Sequence, residues 1–98
     1  MAATLKIVAR MQAAPGNTEE LVEQMKTLVE ETRKESGCVH YDLYRGIEDS
    51  NVLVFVEEWE NEVLWRAHMN GEAIRAFNTR ISAGAIASGE IMQLQHVI

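Results

Sequence analysis

The segment from Val52 to Trp59, VLVFVEEW, constrains the fold of this chain more than any other feature of its sequence. It alternates as a β-strand does, but both of its faces are apolar. The valines at 52, 54 and 56 point one way, and Leu53, Phe55 and Trp59 point the other way. A strand of this kind has to be covered on both sides. The chain must therefore supply one covering layer itself and obtain a second one.

Three further segments alternate in the manner of strands. They are 4–13 (TLKIVARMQA), 38–46 (CVHYDLYRG) and 90–98 (EIMQLQHVI). In the second of these, Val39, Tyr41 and Leu43 should share a face. The segment SAGAIASG before the last strand has no assignment.

Two regions have helical periodicity. The first is predicted to begin at Asn17, with Glu20 at capping-box spacing, and to end at Gly37. The second begins near Asn61, is interrupted around MNGE, and resumes with residues 73, 77 and 81 on one face.

The predicted order is strand, helix, strand, strand, helix, strand. This order gives an α+β, ferredoxin-like split βαββαβ fold, with an antiparallel sheet, the first and third strands central, and the helices on one face. We expect a single domain over residues 1–98. The apolar row on the other face still needs cover, and a second copy packed sheet on sheet would provide it. The sequence therefore predicts a two-fold homodimer.

Composition excludes several classes of function. The 98 residues carry a formal net charge of −6, with scattered basic residues, so we expect neither nucleic acid nor a membrane as partner. Cys38 is the single cysteine, and the three histidines lack metal-ligand spacing, which predicts no metal site. No segment has the length of a signal peptide or membrane span, and the expected location is cytoplasmic.

One stretch, EEWENEVLWRAHMNGE, combines both tryptophans with a histidine. His68 stands one turn after Leu64, on or beside the inward stripe of the second helical region, and Trp65 precedes it by three residues. Trp59 and Phe55 should meet it at the strand end. Such a group is either ordinary core or a flat apolar pocket with one titrating imidazole, which can take a proton from a phenol or a carbon acid.

Other candidates are less specific. Glu57 and Glu58 point to opposite faces and so cannot form a carboxylate dyad. One of them would lie near the cleft or the dimer seam, or else at a solvated strand end, which is the favoured environment. Arg10 would either pair with one of these carboxylates or hold an anionic substrate. Asn78, which follows Phe77, would either point its amide into the cleft or lie on the surface.

Three segments, SGCVHYDLYR, VFVEEW and EVLWRAHMNGEAIRAF, resemble in order and spacing the antibiotic biosynthesis monooxygenase family, including its small quinol monooxygenase-like bacterial members. The resemblance covers essentially the whole chain. It implies a dimeric α+β barrel. Relatives in this family include cofactor-independent monooxygenases of phenols and quinols, haem-degrading enzymes and an isomerase of a phosphorylated autoinducer.

The resemblance also has departures. Haem-degrading members use an Asn, Trp and His set, whereas here His68 stands at the position of their Trp and Asn78 at that of their His, which argues against haem degradation. Many quinol-type relatives have a second histidine where this chain has Ala73.

The resulting hypothesis is a monooxygenase without a cofactor that oxidises a small aromatic quinol or phenol with O2. His68 would be the base, and the substrate would be held by the remaining candidates, namely Trp59, Phe55, Trp65, Phe77, Asn78 and Arg10. The competing hypotheses are an isomerase or binder of a small metabolite, and a dimerisation module without a ligand.

Overall fold

The computed structural model describes residues 3–98. The elements in chain order are β1 (Leu5–Ala13), α1 (Thr18–Thr32), β2 (Cys38–Arg45), β3 (Val52–Trp59), α2 (Glu62–Met69), α3 (Glu72–Arg80) and β4 (Ile86–Leu94). The four strands form one antiparallel sheet in the order β2-β3-β1-β4. The predicted ferredoxin-like arrangement, with β1 and β3 central, is confirmed.

The core lies between one face of the sheet and the helices. Ala9 of β1 lies opposite Phe55 on one side and Ile91 on the other, so these three residues share a face. Leu21, Met25 and Leu28 of α1 pack in the same cluster as the inward residues of β1 and β3. This face is called the helix face below. It carries the Leu53, Phe55 and Trp59 row.

The opposite face of the sheet carries an apolar stripe, called the valine face below. It consists of Val8, Val52, Val54, Val56, Met92 and Leu94. Val56, Met92 and Leu94 are 36%, 40% and 41% exposed, although their side chains are apolar. The valine row is therefore the one that α1, α2 and α3 leave uncovered.

Four details of the predicted elements are wrong. The first helix ends at Thr32 rather than Gly37, and the Asn17 side chain makes no cap, because its amide donates to the Glu20 carboxylate instead. A bulge between Cys38 and His40 leaves Val39 43% exposed rather than on the face of Tyr41. The last strand begins at Ile86 and ends at Leu94, earlier than the predicted 90–98.

Gly37 ends the loop between α1 and β2 and lies against the start of α2. Its φ of +85° is in the left-handed region that favours glycine. A Cβ at this position would lie 2.5 Å from Leu64 Cδ1, and the Gly37 carbonyl accepts a hydrogen bond from the Glu60 amide at 2.8 Å. The loop and α2 are thus in direct contact.

Among the helices formed by residues 3–98, none combines the length and the apolar character needed to cross a membrane.

Candidate active site

An apolar cavity of about 200 Å³ lies between the helix face of the sheet and the helices. Its lining is mostly aliphatic and aromatic, and the polar side chains in it are few. The lining residues are Ile7, Ala9, Met11, Leu28, Tyr41, Phe55, Glu57, Trp65, His68, Met69, Ile74, Phe77, Asn78, Ile86 and Ile91. Ile91 is 49% exposed, because the helices do not extend over β4, so the cavity opens on that side.

Helix α2 begins where it does because Asn61 caps it. The Asn61 side chain accepts a hydrogen bond from the Leu64 amide at 2.9 Å, which satisfies one of the free N–H groups of the first turn. The helix then presents Trp65 and His68 inward. It ends at Met69, and after a short break α3 brings Phe77 and Asn78 to the same cavity.

His68 is held in one orientation by its neighbours. Its ring stacks on Trp59 with centroids 4.7 Å apart, and Tyr41 meets it edge-on at 5.3 Å. Nδ1 lies 2.9 Å from the Glu35 carboxylate. Because a carboxylate oxygen accepts, this contact assigns the ring proton to Nδ1 and leaves Nε2 as the ring's acceptor.

The protonation state of His68 follows from its surroundings. Burial lowers the pKa of the imidazole, and the Glu35 carboxylate opposes that shift. The ring is 2% exposed and is therefore neutral near pH 7. A neutral imidazole with one unprotonated nitrogen is able to accept a proton.

Glu57 was not among the predicted site residues. A solvated strand end was favoured, with a position near the cleft or the dimer seam as the alternative for one of the two carboxylates. The Glu57 side chain is 4% exposed and lines the cavity. Trp59 Nε1 donates to its Oε1 at 2.9 Å. Burial raises the pKa of Glu57 to about 7, and the Trp59 hydrogen bond opposes this. The signal was in the alternation, since Glu57 shares its strand face with Phe55 and Trp59.

Tyr41 is a second lining residue that was not among the candidates. It is 2% exposed and packs 5.1 Å from the Phe55 ring, measured between centroids. Burial raises the pKa of the Tyr41 phenol, and the nearby Glu57 carboxylate adds to this. The phenol is therefore neutral at any physiological pH.

Five of the seven predicted site residues lie together in the cavity wall. These are His68, Phe55, Trp65, Phe77 and Asn78. The two others, Trp59 and Arg10, are not in the cavity wall.

Trp59 was predicted to form a wall, but it is completely buried behind His68 and acts on the cavity only through that ring and Glu57. Arg10 lies opposite Val54 on the other face of the sheet and is exposed. Glu58, one of its two expected partners, binds Lys6 instead at 3.0 Å. Arg10 therefore lies away from the cavity.

Within the part of the chain that the structure describes, no three His, Cys, Asp or Glu side chains come together as a metal site would require.

Comparison with known proteins gives a consistent family. The family model for antibiotic biosynthesis monooxygenase matches residues 4–80. The protein YcnE of Bacillus subtilis, which carries the provisional name of monooxygenase, is 30% identical over 60 residues, covering 61% of this chain and 63% of that protein. The chain thus spans less than two thirds of this curated relative.

Two solved structures are similar over nearly their whole length. PA3566 from Pseudomonas aeruginosa has 30% identity and a TM-score of 0.88, covering 100% of this chain and 98% of its own. A structure described as an antibiotic biosynthesis monooxygenase has 27% identity and a TM-score of 0.87, covering 96% and 99%.

Proposed function

This chain belongs to the antibiotic biosynthesis monooxygenase family, and from that premise we propose that it is a cofactor-independent monooxygenase that oxidises a small aromatic quinol or phenol with O2. The family and the name of the Bacillus subtilis relative support a monooxygenase-like function. The observation that carries the finer proposal is a neutral, buried imidazole in the wall of an apolar cavity.

The size of the cavity supports a small substrate. Its volume of about 200 Å³ is below the roughly 300–1,000 Å³ typical of pockets for drug-sized ligands. An apolar cavity of roughly 150 Å³ is sufficient for benzene. A single substituted aromatic ring is therefore the substrate class that fits. Phe55, Trp65 and Phe77 would contact its faces, and the Asn78 amide would bind an oxygen substituent.

The proposed chemistry requires little of the protein. Nε2 of His68 accepts the phenolic proton, which makes the ring electron-rich enough to transfer an electron to O2. A quinol then takes up one O2 and yields a hydroxyquinone and one water. All four electrons come from the substrate, so no external reductant is consumed. The apolar wall keeps bulk water from the intermediates.

An isomerase or a binder of a small metabolite is the second candidate. The observation in its favour is that Glu57, whose pKa burial raises to about 7, and His68, whose pKa burial lowers, line one cavity. Isomerisation through a carbon acid uses one group to remove a proton and another to return it. This candidate predicts binding and rearrangement without uptake of oxygen.

We further propose that the protein is a homodimer in which two valine faces pack on each other, giving the dimeric α+β barrel. The support is the partly exposed stripe of Val56, Met92 and Leu94, which would otherwise contact water. A single domain over residues 1–98 and a cytoplasmic location remain predictions from the sequence.

The test is oxygen uptake with a panel of reduced single-ring quinols. His68→Ala should lower kcat by about 100-fold or more, because general bases typically contribute this much. His40→Ala is the matched control, since His40 is exposed on the other face, and its turnover should be unchanged. Equal turnover in the two variants would remove His68 from the mechanism. Ring binding without oxygen uptake would favour the isomerase or binder.

A further inference from the structure

His68 separates two spaces in the molecule. On one side it lines the apolar cavity. On the other side it lines a polar groove of about 410 Å³ on the outer surface, which also contains Glu31, Glu35 and Glu72. None of these three carboxylates lines the cavity. A single imidazole is therefore common to the walls of both spaces.

Glu35 connects the imidazole to solvent. Its carboxylate lies 2.9 Å from Nδ1 of His68. The His68 side chain is 1% exposed, whereas the Glu35 side chain is 27% exposed. The carboxylate thus touches both a buried ring and the water of the groove. Burial of the ring without this partner would leave Nδ1–H unsatisfied, which costs about 1–3 kcal/mol.

The packing around the ring fixes Nδ1 as the nitrogen that meets Glu35. Trp59 covers one face of it and Tyr41 meets it edge-on. Rotation of the ring would break the Glu35 hydrogen bond and the stacking together. A proton can therefore cross the wall only by entering at one nitrogen and leaving from the other.

We propose that His68 and Glu35 form a proton outlet from the cavity to the outer groove. This inference rests on the proposed function, because it takes a phenol in the cavity as the source of the proton. Glu35 is a positioning residue in it, since it acts on the substrate only through His68.

The proton is conserved at each step. The phenol O–H bond breaks and an Nε2–H bond forms, giving an imidazolium paired with the Glu35 carboxylate. The Nδ1 proton then passes to that carboxylate and on to groove water, leaving a neutral ring protonated at Nε2. When oxygen has been reduced, Nε2–H gives its proton to the departing hydroxide to form water. Glu35 returns a proton from the groove to Nδ1, which restores the starting ring.

Titratable groups face His68 from every element that packs around it. Glu35 lies in the loop after α1, and Glu31 of α1 and Glu72 of α3 line the groove. Tyr41 of β2 meets the ring, and Glu57 of β3 reaches it through Trp59. Glu31 is already paired with Arg80 at 2.9 Å. Only Glu35 is hydrogen-bonded to the imidazole, which makes it the group to test.

The first experiment needs no turnover. Imidazole ¹⁵N shifts report which nitrogen of His68 carries the proton in wild type, Glu35→Ala and Glu72→Ala. We expect Nδ1–H in wild type and Glu72→Ala, and in Glu35→Ala a change toward Nε2–H together with a lower His68 pKa. Added acetate, small enough for the groove, should restore the wild-type shifts in Glu35→Ala. An Nε2–H ring in wild type, or a Glu35→Ala spectrum equal to that of Glu72→Ala, would overturn the outlet.

The second experiment uses oxygen uptake with the reduced quinols. Glu35→Ala should lower kcat about tenfold with little change in KM, and acetate should restore kcat in a saturable manner. Glu35→Gln keeps an acceptor for Nδ1–H but cannot carry the proton, so it should retain the ¹⁵N shifts and lose kcat. Full activity of Glu35→Gln would overturn the outlet. If no quinol supports oxygen uptake but the ¹⁵N results hold, the oxygenase proposal fails and the His68–Glu35 pair stands.

Discussion

The two faces of the sheet give neighbouring carboxylates opposite environments and opposite pKa shifts. Glu57 and Glu58 are adjacent in β3, but Glu57 is buried in the cavity wall with a pKa raised to about 7. Glu58 points to the other face, where hydrogen bonds from Thr4 and Lys6 lower its pKa. A shift of a single residue along a strand thus separates a group that can exchange protons near pH 7 from an ordinary surface carboxylate.

The comparison shows where this fold places chemistry. On the helix face, the helices cover the sheet except along β4 and form a cavity whose titratable groups, Tyr41, Glu57 and His68, are buried and have shifted pKa values. On the valine face, Glu58 pairs with Lys6, Arg10 lies exposed on the central strand β1 opposite Val54, and the valine stripe beside them is apolar. This contrast supports the proposal that reaction takes place on the helix face and association on the valine face.

The largest effect on stability is expected at Trp59, on the buried helix face. Trp59→Ala should lower the free energy of unfolding by about 3–5 kcal/mol, because it removes a fully buried ring, the partner of Glu57 and the stacking partner of His68. Urea unfolding measures this. Ile47→Ala, at a fully exposed loop position, should change the value by less than about 0.5 kcal/mol. Similar losses of unfolding free energy in Trp59→Ala and Ile47→Ala would contradict the placement of Trp59 in the core.

The next largest effect is the pH dependence set by Glu57. Its folded-state pKa of about 7 exceeds the ordinary value of 4.5, so its contribution is favourable at low pH and is lost as the pH rises through 7. Glu57→Gln should therefore gain about 2.5 kcal/mol relative to wild type on going from pH 5 to pH 8. Denaturant unfolding at the two pH values measures the gain.

Glu58 supplies the matched control for that measurement. Its lowered pKa means that its contribution is present above its ordinary pKa and is lost as the pH falls. Glu58→Gln should therefore not gain stability relative to wild type between pH 5 and pH 8. If the two variants had the same pH profile, the contrast between the faces would be wrong.

Association is the third test. Val56→Asp should weaken the proposed dimer by about 30-fold, roughly 2 kcal/mol, because it places a carboxylate in an apolar seam. Sedimentation velocity over a range of concentrations measures this. Val63→Asp is the same substitution on α2, where the side chain is 77% exposed, and should leave association unchanged. A monomeric wild type would remove the sheet-on-sheet arrangement.

The smallest effect is expected at Arg10. Because Arg10 lies on the other face from the cavity, Arg10→Ala should change the affinity for a phenol probe by less than about twofold. Asn78→Ala should weaken it by about fivefold, near 1 kcal/mol, through loss of one hydrogen bond. Isothermal titration of both variants with a single-ring phenol compares them. A larger loss of phenol affinity in Arg10→Ala than in Asn78→Ala would mean that the phenol does not bind in the cavity on the helix face.

Most of the fold was predictable because its information is local. Alternation identified β1, β2 and β3, and the interruption at Asn70 and Gly71 correctly divided the second helical region. β4 was placed too late, since Ile86–Gly89 is rich in small residues and its pairing with β1 is not visible in periodicity. The bulge at Val39 was missed for the same reason, because an inserted residue depends on the partner strand.

The site was predictable in its apolar part and not in its polar part. Helical spacing brought Trp65, His68 and Phe77 together, and strand alternation added Phe55. Glu35 was not found, because it lies 33 residues from His68 along the chain and no periodicity relates the two. For Glu57 a solvated strand end was favoured over the cleft on the general rule for carboxylates. Burial of this kind depends on the helices above the strand rather than on the strand.

Gly37 has a consequence for how this chain tolerates change. It sits between the loop bearing Glu35 and the helix bearing His68, with room for hydrogen alone against Leu64. A methyl group there would have to displace Leu64 or the loop, and so would disturb the contact between the two segments that hold the carboxylate and the imidazole together. The His68–Glu35 hydrogen bond thus depends on a position outside the cavity lining, through spacing instead of chemistry.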